Sequence, residues 1–121
     1  MITVEALENK LNEVGTIAFR CKKEFYGMYK AERNRTLGNL VKIHSEGEKF
    51  LLRNDKDINS NGDVYYRIND AKSMFYEGMV LSKSIVRAIK DGILEVIEDY
   101  KKPEITVYNI NELNKVDLTL E

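Results

Sequence analysis

Between residues 4 and 28 the apolar side chains fall at Val4, Leu7, Leu11, Val14, Ala18, Cys21, Phe25 and Met28, in an unbroken rhythm of three and four. A helix with that repeat carries one apolar seam, which must be buried against a second surface. Thr3 stands where a helix cap belongs, and Glu5 and Glu8 sit in the first turn, where acidic groups suit the helix dipole. The spacing predicts one amphipathic helix from about residue 3 to about residue 32. Two or more copies would form a coiled coil through Leu7, Leu11, Val14, Ala18 and Phe25. A second reading competes. Gly15 stands where a helix would end, and Thr16-Ile17-Ala18-Phe19-Arg20-Cys21 alternates and is partly β-branched, as strands are. Gly15 and Gly27 would each cost a continuous helix about 1 kcal/mol. The seam has the better count of matches, so the continuous helix leads.

Beyond residue 37 the pattern shortens. Leu40–His44 reads as a strand, Ser45-Glu46-Gly47-Glu48 as a turn and Lys49–Arg53 as a returning strand, together a hairpin. Residues 54–63 are polar and read as a loop, and Val64–Ile68 as another strand. Met74–Leu81 is a further strand, in which Gly78 marks a bulge or a close approach. Ser82 or Ser84 caps a short helix near 83–91, Gly92 ends it, and Ile93–Ile97 is a short strand. Pro103 breaks the chain, Ile105–Tyr108 forms a last strand, and 109–121 is a tail. The expected class is α+β: an N-terminal helix, a small antiparallel sheet and one further short helix. The expected organisation is a single domain over 1–121, with a helical oligomerisation segment at about 3–32, an α+β body at 37–108 and the tail.

Nineteen basic and twenty acidic residues leave a net charge of -1, so no global field draws the chain to nucleic acid or to a membrane. The single cysteine, Cys21, forbids an intrachain disulfide and suits a reducing compartment. The N-terminus has neither a basic region nor an apolar stretch of the secretory kind, and no apolar run is long enough to span a bilayer. A cytoplasmic protein without membrane contact is expected.

Four patterns bear on chemistry. A Cys21–His44 pair is formally available, but Cys21 belongs to the apolar seam, where a thiol acts as a small hydrophobe. With one histidine, no Walker loop and no dinucleotide fingerprint, the expectation is a protein that is not an enzyme. Asp57-Ile58-Asn59-Ser60-Asn61-Gly62 resembles the first half of a calcium loop, with oxygen ligands on Asp57, Asn59 and Asn61. Ile68 stands where the bidentate glutamate is needed, so a weakly held calcium is the most it offers, and an Asn-Gly turn uses the same residues. The basic residues Arg20, Lys23, Lys30, Arg33 and Arg35, interleaved with Tyr26, offer an anion or nucleotide site, but a solvated helix face and helix end is the favoured account of them.

Finally, the phrase from Phe75-Tyr76-Glu77-Gly78-Met79-Val80-Leu81-Ser82 to Gly92-Ile93-Leu94-Glu95-Val96-Ile97 reads as strand, capped helix, glycine stop, strand. It resembles small phage and prophage proteins of head, neck and tail genes in Clostridium-like hosts. That resemblance implies a self-assembling virion or assembly component, found in the cytoplasm or the virion, whose partners are its own copies and other phage or host proteins. The alternative is an oligomeric phage-encoded binding protein that sequesters a nucleotide signal or inhibits a host defence through the basic-aromatic cluster.

Overall fold

A computed structural model describes residues 2–31, 38–70 and 76–97. The seam breaks at Gly15. Helix α1 spans Val4–Val14, and Thr3 Oγ1 accepts the Ala6 N–H at 3.0 Å, as a cap should. Gly15 takes φ +81°, and its N–H donates to the Leu11 carbonyl at 2.8 Å. A left-handed residue at this place ends a helix, and glycine takes that conformation without a Cβ penalty. Strand β1, Thr16–Cys21, follows at once, and β2 is Phe25–Lys30. The continuous helix over 3–32, and with it the coiled coil, is therefore corrected to helix, strand, strand. The seam hid the break because Ile17, Phe19 and Cys21 also alternate and are the residues of β1 that reach the core, whereas Ala18 of the seam does not.

The remaining elements are β3 Asn39–His44, β4 Lys49–Ile58, β5 Val64–Asp70, β6 Tyr76–Leu81, α2 Ser82–Lys90 and β7 Leu94–Val96. The strands form one seven-stranded sheet in the order β3-β2-β6-β5-β4-β1-β7, with every pairing antiparallel. The sheet curls into a half-barrel, and strand outweighs helix about two to one. The α+β class with a small sheet is thus corrected to a mainly β fold carrying two helices.

Two local misreadings made the sheet look small. Residues 54–57 are polar yet continue β4, because their side chains find partners on both faces. Arg67 Nε donates to Asp55 Oδ2 at 2.9 Å, Lys56 Nζ to Glu8 Oε2 of α1 at 3.0 Å, and Lys30 Nζ to Asp57 Oδ2 at 2.5 Å. The pairing of β4 with β5 shifts register between Leu52 and Lys56, and Asn54 and Lys56 stay on the helix side, where they meet Asn12 and Glu8 of α1. The expected 40–53 hairpin has both of its strands but not their pairing. β3 pairs with β2, while β4 pairs with β1 and β5. The turn between them is held by β1 instead: Gly47 N–H donates to the Cys21 carbonyl at 2.7 Å and Cys21 N–H to the Glu48 carbonyl at 2.8 Å.

Both helices contribute to one core. Leu7 and Leu11 of α1 and Ile85, Val86 and Ala88 of α2 pack with Phe19, Phe25, Phe50, Leu52 and Tyr66 from the strands. Phe50 is its centre, stacked with Phe19 at 5.5 Å, Phe25 at 5.8 Å and the His44 ring at 5.2 Å. At α2 neither serine caps the start; Leu81 holds that place, and Ser84 Oγ accepts the Met28 N–H of β2 at 3.0 Å. Gly92, φ +75°, ends the helix as expected, and Ile93 N–H returns to the Ala88 carbonyl at 2.8 Å. The close approach expected at Gly78 is the Tyr29 ring, whose Cζ would lie 2.6 Å from an added Cβ. Met74, Phe75, Pro103, Ile105–Tyr108 and the 109–121 tail lie outside the described residues.

Candidate interaction surface

The two edges of the sheet differ. β7 is three residues long, whereas β3 is six, about 20 Å of strand, and among the described residues it pairs only with β2. Edges are usually shortened, charged or covered, because their outward N–H and C=O groups template further pairing. β3 carries one charge, Lys42, and displays Leu40 at 69% exposure and Val41 at 38%. Across the ladder Lys42 faces Tyr26, itself 53% exposed, and Leu40 faces Met28.

Helix α2 runs beside this edge. Its first turn sits on β2, where a Cβ on Gly27 would meet Ser84 Cβ at 3.0 Å and Ile43 Cδ1 at 3.1 Å. A side chain at 27 would lift the helix away. Beyond its far end, Lys22 N–H donates to the Ile93 carbonyl at 2.7 Å, so α2 follows β2 from Met28 back toward Glu24. Between helix and strands lies a groove of about 390 Å³ bounded by Glu24, Tyr26, Leu40, Lys83, Arg87 and Asp91. Lys83, Arg87 and Asp91 are four residues apart and form one stripe along it. Arg87 Nε donates to Asp91 Oδ2 at 3.3 Å, and Lys42 Nζ lies 3.6 Å from Glu24 Oε2. The β3 edge thus combines aliphatic side chains with a flanking aromatic ring and a charged helix stripe.

The residues singled out from sequence are dispersed. Of the expected oligomerisation set, Leu7, Leu11 and Phe25 are buried in the protein's own core, Ala18 is half-buried on β1, and Val14 is 47% exposed at the end of α1. They cannot make a common seam. Of the expected anion set, Arg20 pairs with Glu95 across β1 and β7, Lys23 is exposed in the turn after β1, and Tyr26 lies at the candidate edge. Lys30, at the other end of β2, is buried against Asp57 with its ammonium 4.6 Å above the Tyr65 ring. Arg33 and Arg35 lie outside the described residues. Arg20 and Lys30 stand on strands separated by three others, so the described members do not converge.

The calcium-like residues serve the turn. Asn59 Oδ1 accepts the N–H groups of Asn61 and Asp63, each at 2.9 Å, while the Asp57 carboxylate is taken by Lys30. Among the described residues no three His, Cys, Asp or Glu side chains gather as metal ligands. Cys21 is buried, and its thiol is pushed up to about 11, by burial first and by the Glu48 carboxylate second. His44 Nδ1 lies 2.9 Å from Glu48 Oε1, which also accepts the Ser45 N–H at 2.7 Å. The three residues brace a turn. The sequence did not mark β3 as an edge strand among the described residues; the readable trace is an apolar pair, Leu40-Val41, followed by one lysine, a common guard on edges.

Among the described residues no helix is long and apolar enough to cross a membrane. Comparison with family models, with characterised proteins and with solved structures finds no match.

Proposed function

We propose that the chain is a non-catalytic interaction protein that self-assembles through β3, an edge strand among the described residues. The observation that carries this reading is Leu40, 69% exposed at the second position of a six-residue edge strand. This contact replaces the N-terminal seam as the site of association, since Leu7, Leu11 and Phe25 are spent inside the fold. A non-catalytic role is supported by Cys21 and His44, whose partners are those of a structural brace. The finer reading, a component of a phage-type particle that meets other phage or host proteins in the cytoplasm or virion, rests on the resemblance of the 75–97 phrase. The test is sedimentation velocity over a dilution series. The native chain should associate at micromolar concentration, and Leu40→Lys, a change at an exposed position, should leave a folded monomer. A native chain that stays monomeric throughout ends the self-assembly reading.

A further inference from the structure

We infer that Asn61, at the turn between β4 and β5, is a site of spontaneous covalent modification, where attack by the Gly62 amide nitrogen turns the asparagine into aspartate or isoaspartate. The sequence holds one Asn-Gly step, and it is this one. The chemistry needs a backbone nitrogen that can reach Cγ of the preceding asparagine. A side chain on the following residue hinders that approach, and glycine has none. Asn61 and Gly62 are both exposed, and nothing lies within 4 Å of a Cβ added at Gly62. The step balances with water as the only co-reactant. The Gly62 nitrogen bonds to Asn61 Cγ as the Cγ–Nδ2 bond breaks. The proton it gives up, carried by solvent, leaves with Nδ2 as ammonia. Water then opens the cyclic imide. Breaking the new bond leaves aspartate. Breaking the original peptide bond leaves isoaspartate, whose main chain runs through Cβ and Cγ.

The fold selects Asn61 over its neighbours. Asn59, two residues earlier and followed by a small serine, is the obvious competitor. It is 3% exposed, and its Oδ1 accepts the N–H groups of Asn61 and Asp63 at 2.9 Å each. Its carboxamide cannot turn toward the Ser60 nitrogen without breaking both bonds. The Asn61 carboxamide takes part in neither. Asn69 is 1% exposed within the sheet, and Asn54 Nδ2 donates to Asn12 Oδ1 at 3.3 Å. One contact opposes reaction at Asn61. The Gly62 N–H donates to the Asn59 carbonyl at 3.0 Å, so its nitrogen attacks only when the turn opens. A single hydrogen bond at an exposed hairpin tip should slow the reaction by no more than about tenfold. The aspartate product keeps the turn and adds a negative charge close to Asp63. The isoaspartate product lengthens the main chain by one carbon and draws the Gly62 and Asp63 N–H groups off the Asn59 oxygens.

Ageing the intact chain in mildly alkaline buffer tests this, against an unaged control. Trypsin releases Asp57–Arg67, a fragment that carries Asn59 and Asn61 together. Mass spectrometry with electron-transfer fragmentation should place the change from amide to acid on Asn61, as both isomers, with Asn59 unaltered in the same fragment. The rate should rise with pH, because the attacking nitrogen must lose its proton. Asn61→Ser, at an exposed turn position, should abolish the change in that fragment. The same chain held unfolded in urea should convert Asn61 no more than about tenfold faster, and should begin to convert Asn59. Conversion of Asn59 as fast as Asn61 in the folded chain overturns the inference. So does protection of Asn61 by folding of more than about tenfold.

Discussion

Cys21 shows how one buried side chain writes itself into the pH dependence of the molecule. Its thiol is held up to about 11 against an ordinary value of 9.0, by burial and then by Glu48. Between those values the unfolded chain has lost a proton that the folded one keeps, so stability falls as pH rises from about 9 through about 11. Tyr66, raised chiefly by burial, acts with the same sign. Melting temperature against pH should be level from about pH 5 to pH 9 and descend above it, and Cys21→Ala should make the descent shallower. The same protonated, enclosed thiol should react with a disulfide reagent only as fast as the protein opens. Glu48 sets the acid limb. Its carboxyl is held below the usual 4.5 by the Ser45 N–H first and His44 second, so its contribution is complete above that value and fades as pH falls below it. Phe50 governs packing rather than charge. With Phe19, Phe25 and His44 all stacked on it, Phe50→Ala should cost about 3–5 kcal/mol, read as a lower urea midpoint.

At the scale of elements, the seam of α1 and the strand after it make a direct comparison. A coiled coil would use Leu11 and Val14 alike. Here Leu11 is fully buried and Val14 is 47% exposed, so Leu11→Ala should cost about 3 kcal/mol and Val14→Ala less than about 0.5 kcal/mol by chemical denaturation. Gly15→Ala should cost about 1–2 kcal/mol through backbone conformation alone, because φ is +81° and nothing lies within 4 Å of the added Cβ. Residues 40–44, 49–53, 64–68 and 83–91 announced their elements through local chemistry, by alternation, turn residues and a glycine stop. What stayed hidden was set at a distance. A period of three and four does not distinguish a helix that runs on from one that ends where a strand begins. Asn54-Asp55-Lys56-Asp57 looks like a loop until Arg67, Glu8 and Lys30 are in place around it. The candidate edge was legible as a strand but not as an edge, since that depends on β3 choosing β2 over its neighbour in sequence, β4.

Across the whole molecule, protection should follow the order of the sheet. β5 and β4 lie inside it with a neighbour on each side, and β4 ties β1 to β5, so their amides should exchange only on global unfolding. β3 lies outside, and among the described residues it is joined by β2 alone, with no further ladder on its outward amides. If a second copy completes that ladder, exchange along Asn39–His44 becomes a function of protein concentration, while exchange along β4 and β5 does not. Hydrogen exchange read by mass spectrometry on peptides covering 39–44, at low and high micromolar protein, should show protection rising with concentration, and Leu40→Lys should erase the rise. Equal exchange at both concentrations would place any association on another surface. Protection that rises in all strands together would mean that association stabilises the entire fold, with the edge only its point of contact. The exposed aliphatic side chains of β3 lead us to expect the local pattern, because Phe50 and the described core residues around it are buried within one copy.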